Sequence, residues 1–216
     1  MSHVDAANHT RGVSEYVDDV VRPAGMLHAA VYSSPVAHGV VRGLDVQQAR
    51  GMSGVHSVLT SSDIPGTNQI GAIIPDEPLL ADEEVHYVGQ PVAVVLAESP
   101  EVAREAIRCI ELEFKKLPVI TDPREAYEKG EVIGATRTFE SGDVDAAWSK
   151  CEYVVEGRCD VGGQDHVYLE TQRSRAVPLE GGRMRIFSST QSPYAAQKAV
   201  ARILDIPNNH VEIEVT

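Results

Sequence analysis

Gln191 stands in the stretch whose residue types and spacing suggest chemistry, "SSTQSP" from Ser188 to Pro193, between an alternating apolar segment and a helix-like one. A neutral amide at such a lip can donate a hydrogen bond to an oxygen of a bound group without bringing charge. The free N–H groups of a helix start beside it favour the same kind of partner. An ordinary capping turn has the same residue pattern, so the spacing leaves both readings open. A second candidate is "GGQDHVYLE", in which strand alternation sets His166, Tyr168 and Glu170 on one face and Val167 and Leu169 on the other. A His and one carboxylate are too few ligands for a stable metal site, so His166 and Glu170 read first as hydrogen-bonded core or interface groups. Cys109, Cys151 and Cys159 form no C-x-x-C pair, which suits free thiols in a reducing compartment. Cys151 and Cys159 share the parity of an expected strand and read as packing residues. No nucleophile elbow, phosphate loop or dinucleotide fingerprint occurs, so no catalytic residue and no metal ligand is assigned.

The elements that must position Gln191 are legible on either side of it. Met184 to Ser188 alternates as a strand, Ser192 is a suitable N-cap, and Pro193 fits the first helical position because the N–H it lacks would be unsatisfied there. The helix stops before Pro207, and "HVEIEV" closes the segment as a strand. Upstream, residues 1–11 are polar and arm-like. "MLHAAVYSS" and "VHSVLTSSDIPG" read as strands, with a two-turn helix at Asp45–Arg50 between them. Residues 68–81 carry Gly71, Pro75 and Pro78 and read as an ordered surface loop. Val92 to Ala97 is a buried strand. Ser99, Pro100 and Glu101 open a helix faced by Val102, Ala106 and Cys109, and Ile110 to Leu117 alternates as a half-exposed strand. A β-α-β unit of this length predicts a crossover within one sheet. "TDPREAYEKG" supplies a short helix, and Asp143 caps another that Trp148 anchors. "CEYVVEGRCDVGGQDHVYLETQRSRAV" reads as two long strands bent at Gly162-Gly163.

Composition limits the partners. With 216 residues, 43% apolar and 24% charged, the chain is long enough for one large or two small cores. A net charge of −13 leaves no basic field for nucleic acid or anionic lipid. No apolar run approaches the roughly 20 residues that span a bilayer, and no signal-peptide core follows Met1, so a cytoplasmic location is expected.

Several long segments, in one order, resemble the molybdenum-binding subunit of the xanthine dehydrogenase and aldehyde oxidase family. "RGVSEYVDDV" is similar to the family's opening segment, and "SSPVAHGVV" and "VLTSSDIPG" to its first domain. "NQIGAIIPDEPLLADEEVHYVGQPVAVVLAESPEVA" looks like the bacterial xanthine dehydrogenase branch, while "GGQDHVYLETQ" and "SSTQSPYAAQKAVARIL" resemble the opening of the second domain. The resemblance runs from about Thr10 to Thr216 and implies an α/β (α+β) fold. A flexible arm at 1–11 would precede an α/β hammerhead domain at 12–135, with the incomplete start of a molybdopterin-binding domain at 136–216. It implies that Gln191 hydrogen-bonds an oxo ligand of molybdenum and that Gly162 to His166 lends structural support.

The family's chemistry is hydroxylation of a purine ring carbon with water, on a molybdenum–molybdopterin cofactor. Electrons leave through iron–sulfur clusters to FAD in partner domains or subunits. The family's glycine-rich segment, substrate arginine, stacking aromatics and glutamate base are not in this sequence. The expectation is therefore a chain inactive alone that requires the remaining molybdopterin-binding domain and an iron–sulfur/FAD subunit. Its helix face at Val200, Ile203 and Leu204 would promote an oligomer. The alternative is a non-catalytic binding or assembly module with a hammerhead fold.

Overall fold

The computed structural model describes residues 5–168 and 171–216. The chain divides into two compact units, one of Met1–Val119 and Leu169–Thr216, the other of Ile120–Tyr168. In the first unit the chain runs α1 (Ala6–Arg11), β1 (His28–Ser33), β2 (Gly39–Asp45), α2 (Gln47–Arg50), β3 (Val55–Leu59), β4 (Glu84–Val85), β5 (Pro91–Ala97), α3 (Pro100–Ala106) and β6 (Glu111–Lys116). The second unit contributes α4 (Pro123–Glu128) and α5 (Val144–Trp148). β7 (Ser174–Leu179), β8 (Arg183–Ser188), α6 (Pro193–Leu204) and β9 (Val211–Val215) belong again to the first. Among the described residues nine strands form three sheets, ordered β1-β5-β3, β4-β2-β6 and β7-β8-β9. This is the mixed α/β architecture expected from the sequence.

The run "PVAVVLA" is apolar throughout because β5 is buried on both faces. Ala93 and Val95 join Val46, Ala49, Val58, Ala106 and Ile110 in one core, while Val92, pointing the other way, packs with Ala81 and Val85 in a second. β1 and β3 flank β5, both antiparallel. Burial raises the pKa of Tyr32, which packs against both cores. α3 starts as its sequence predicts: the Ser99 hydroxyl accepts from the Val102 N–H at 3.2 Å, and Pro100 opens the first turn. Its covered face is Ala103 and Ala106, both fully buried. The Glu101 carboxyl is lowered first by its own backbone N–H and then by the Ser99 hydroxyl.

Four expectations are corrected. β5 and β6 do not share a sheet: β6 pairs antiparallel with β2, and the chain passes from one sheet to the other through α3 and the turn at Ile107–Cys109. The half-exposed alternation of β6 matches a sheet with one solvated face, whereas β5 requires cover on both. Among the described residues the one parallel pairing is instead β8 with β9, joined through α6. Residues 151–168 form no strand, so Cys151 and Cys159 are exposed and not packed. Alternation marks a face that seeks cover, but a strand also needs a ladder partner, and none of the described residues supplies one here. Trp148 is 58% exposed and anchors nothing within its unit. Ser192 makes no side-chain cap bond, although Pro193 does open α6.

The second unit is two short helices with irregular chain around them. Asp122 accepts from the N–H groups of Arg124 and Glu125, and Asp143, the cap read from the sequence, from that of Ala146. Among the described residues no helix is long and apolar enough to cross a membrane.

Candidate cofactor-binding site

Gln191 is placed by a strand, a bend and a helix start. β8 runs between β7 and β9, which holds its C-terminal end firmly. Just beyond it, the Ser189 N–H donates to the Arg173 carbonyl at 3.3 Å and the Arg173 N–H donates to the Ser189 hydroxyl at 3.1 Å. The Thr190 hydroxyl accepts from the Ser192 N–H at 3.1 Å, a side-chain turn that replaces the cap expected of Ser192. Between these two anchors Gln191 sits in a bend and is exposed. α6 begins two residues later with no acidic side chain in its first turn, so the partial positive charge of the helix start is not cancelled locally.

The rest of α6 is fixed at its other end and along its length. Gly66 and Thr67 donate their N–H groups to the carbonyls of Ile203 and Arg202, at 2.8 and 3.1 Å. The Arg202 guanidinium donates back to the Gln69 carbonyl at 2.6 Å. Gln197 Nε2 donates to the Val211 carbonyl at 2.7 Å, tying the helix to β9. Val200, Ile203 and Leu204, the proposed sticky face, are half-buried in this arrangement. Arg175 lies over the Phe187 ring at 4.5 Å and Arg173 pairs with Asp18 at 3.2 Å, so both cations are engaged within the fold.

The donor set around residue 191 is neutral: a side-chain amide beside a helix start. Such a set suits an oxygen of a bound group and brings no charged ligand to a metal. Gly162 to His166 lies in the second unit, in no regular element, with His166 exposed. Glu170, the carboxylate paired with His166 in the sequence reading, lies outside the described residues.

One cluster escaped the sequence reading. His38, just before β2, stands with Glu84 and His86, which flank buried Val85 at the end of β4. The E-x-H spacing, which puts both side chains on one strand face, was the available signal. His38, 46 residues away, was not.

The comparisons with known proteins agree with this architecture. The sequence model of the aldehyde oxidase and xanthine dehydrogenase a/b hammerhead domain matches residues 11–118, half of the chain. The chain belongs to the xanthine dehydrogenase and aldehyde oxidase family. The model of the molybdopterin cofactor-binding domain matches residues 126–216, which include Gln191. Among curated relatives, xanthine dehydrogenase/oxidase of Mus musculus is 34% identical over 216 residues, covering 100% of this chain and 16% of its own length. A probable xanthine dehydrogenase subunit of Bacillus subtilis (strain 168) is 33% identical, with 97% of this chain and 29% of that protein covered. The chain thus spans less than a third of these family members. Among solved structures, the aldehyde oxidoreductase of Desulfovibrio gigas superposes with a TM-score of 0.85 at 25% identity, covering 99% of this chain and 26% of that one. Quinoline 2-oxidoreductase of Pseudomonas putida 86 gives 0.82 at 26% identity, with 100% of this chain and 29% of that chain covered.

Proposed function

We propose that this chain is the N-terminal portion of the molybdenum-carrying subunit of a xanthine dehydrogenase-type hydroxylase, and that the Gln191 amide hydrogen-bonds an oxygen on the metal. What carries the reading is the exposed, neutral donor placed between β8 and α6, within the segment matched by the molybdopterin-domain model. Residues 12–135 form the hammerhead part and 136–216 the opening of the cofactor-binding part.

When bound, molybdenum–molybdopterin supplies oxygen transfer to a ring carbon and accepts two electrons. This chain's own contribution is narrower. The amide of Gln191 orients an oxygen by donation from Nε2 and, being neutral, does not alter the charge of the centre. The Thr190 turn and the far-end clamp on α6 fix the backbone on either side of Gln191. On this reading the groups that grip a purine and the general base belong to the rest of the subunit, and the iron–sulfur and flavin carriers that take the electrons to partner domains or subunits. The chain alone therefore neither retains the cofactor nor turns over.

Metal analysis tests this directly. The 216-residue chain purified alone is expected to carry no stoichiometric molybdenum. The subunit that contains it, with its iron–sulfur/FAD partner, is expected to carry one molybdenum and hydroxylate xanthine. In that assembly Gln191→Ala should lower kcat by about 10- to 100-fold, the usual cost of losing a partner to a metal-bound ligand. Stoichiometric molybdenum and xanthine hydroxylation by the short chain alone would overturn the proposal.

A further inference from the structure

The cluster of His38, Glu84 and His86 lies in the β4-β2-β6 sheet, and Gln191 follows β8 of the β7-β8-β9 sheet. His38 Nε2 stands 2.6 Å from Glu84 Oε1, and His86 Nδ1 stands 3.8 Å from the same oxygen. One ligand atom from each of the three side chains lies within 4.8 Å of the others, and the two imidazole centroids are 6.0 Å apart. All three side chains are partly exposed, so an ion reaches them from solvent.

The far side of His38 decides how this cluster reads. Its Nδ1 is 2.7 Å from the carbonyl of Pro118, an acceptor only, so Nδ1 carries the hydrogen. In the neutral ring Nε2 then presents a lone pair, and it presents it to a carboxylate oxygen at 2.6 Å. Two lone pairs at that distance repel. Something positive must lie between them: a second proton on the ring, or a cation shared by imidazole and carboxylate. A histidine that donates one nitrogen to a backbone carbonyl and turns the other toward a carboxylate and a second histidine has the arrangement of a metal ligand with its supporting hydrogen bond.

The backbone around the three groups is fixed. The Leu117 N–H donates to the His38 carbonyl at 3.1 Å, and the Val41 N–H to that of Glu83 at 2.8 Å. Glu84 pairs across the ladder with Val40. The His86 N–H donates at 2.7 Å to Oε1 of Gln90, a side chain only 1% exposed. Ligands thus come from two adjacent strands of one sheet, and the supporting carbonyl from the end of a third.

We propose that His38, Glu84 and His86 form a binding site for one divalent transition-metal ion, zinc by its ligand chemistry, with the fourth position left to water. Two imidazoles and one carboxylate match zinc's preferences and suit magnesium or calcium poorly. Tetrahedral zinc sets neighbouring ligand atoms about 3.3 Å apart. The two observed separations, 2.6 and 3.8 Å, bracket that spacing. The ion replaces the bridging proton and ties the short strand β4 to β2.

The test uses the full 216-residue chain stripped with a chelator, and titrates it with zinc chloride by calorimetry and with cobalt(II) by visible absorption. One ion per chain, a four-coordinate cobalt spectrum, and a melting temperature that rises with free zinc are expected. Glu84→Gln and His86→Asn should each weaken zinc at least tenfold while leaving the circular dichroism and the metal-free melting temperature within about 2 °C of the parent, as befits exposed side chains. The six other histidines of the chain remain in both variants and serve as the internal control. Absence of saturable binding, or binding undiminished in the two variants, overturns the proposal. In that case the cluster is an imidazolium–carboxylate pair with a neighbouring histidine. Molybdenum content has no part in this readout, so the site stands or falls independently of the function proposed for Gln191.

Discussion

Gly66 lies so close to Arg202, in the last turn of α6, that a Cβ built on it would stand 2.1 Å from the Arg202 carbonyl oxygen and 2.8 Å from that of Ile203. Those atoms are backbone and already accept the N–H groups of Thr67 and Gly66, so neither can move aside without breaking a hydrogen bond. The segment at 66–69 is therefore a clamp on the helix whose start adjoins Gln191.

Gly66→Ala is expected to destabilise the chain by roughly 1–3 kcal/mol through overpacking against fixed backbone. Thermal unfolding checks it, at about 2–4 °C per kcal/mol for a chain of this size. The same substitution at Gly134, where no atom lies within 4 Å of the added Cβ, should leave the melting temperature unchanged.

Asp63 gives a pH signature. Its carboxylate accepts from the Thr60 N–H at 2.8 Å and the Thr60 hydroxyl at 2.9 Å, and these, with a smaller contribution from Arg50, hold its pKa below the usual aspartate value of about 3.9. A lowered native pKa means that the unfolded chain binds the proton more readily. The carboxylate thus stabilises fully above the unfolded value, and the gain disappears as pH falls through the lowered native one. The stability difference between the parent and Asp63→Asn should be constant above about pH 5 and shrink toward acid. Urea titrations at several pH values measure it, and a difference that grows toward acid would contradict the assignment.

Gln90 is buried beneath the histidine cluster. Gln90→Leu keeps the volume but removes the acceptor of the His86 N–H, which should cost about 1–3 kcal/mol for the orphaned donor. Tyr32→Phe, which removes only a hydroxyl from a ring packed against both cores and should cost less, is the comparison by chemical denaturation.

The parts of this fold that the sequence announced are those with local causes. Ser99-Pro100 and Asp143 name their helix starts because capping is settled within four residues, and Gln191 falls between β8 and α6 because a strand period ends where a Ser-Pro start begins. Pairing is not local. Nothing in the spacing of Val92–Ala97 and Ile110–Leu117 says that these neighbours join different sheets, and residues 151–168 alternate like strands although no described residue pairs with them. His38 was missed for the same reason, since only the ladder of β2 with β4 brings it to Glu84. The role of Gln191 came from resemblance, because one amide at a turn does not distinguish a ligand's donor from a cap.

β5 is bonded on both edges and covered on both faces, with Ala93, Val95 and Ala97 wholly inaccessible. Its amides can exchange with deuterated solvent only when β1 or β3 peels away, and loss of β1 removes Tyr32 from both cores at once. The slowest amides of the first unit should therefore be those of Val92 to Leu96, and their exchange rate should report the opening of the whole unit. Loss of β1 during storage or proteolysis would appear there first, as a sudden gain of deuterium along a single strand.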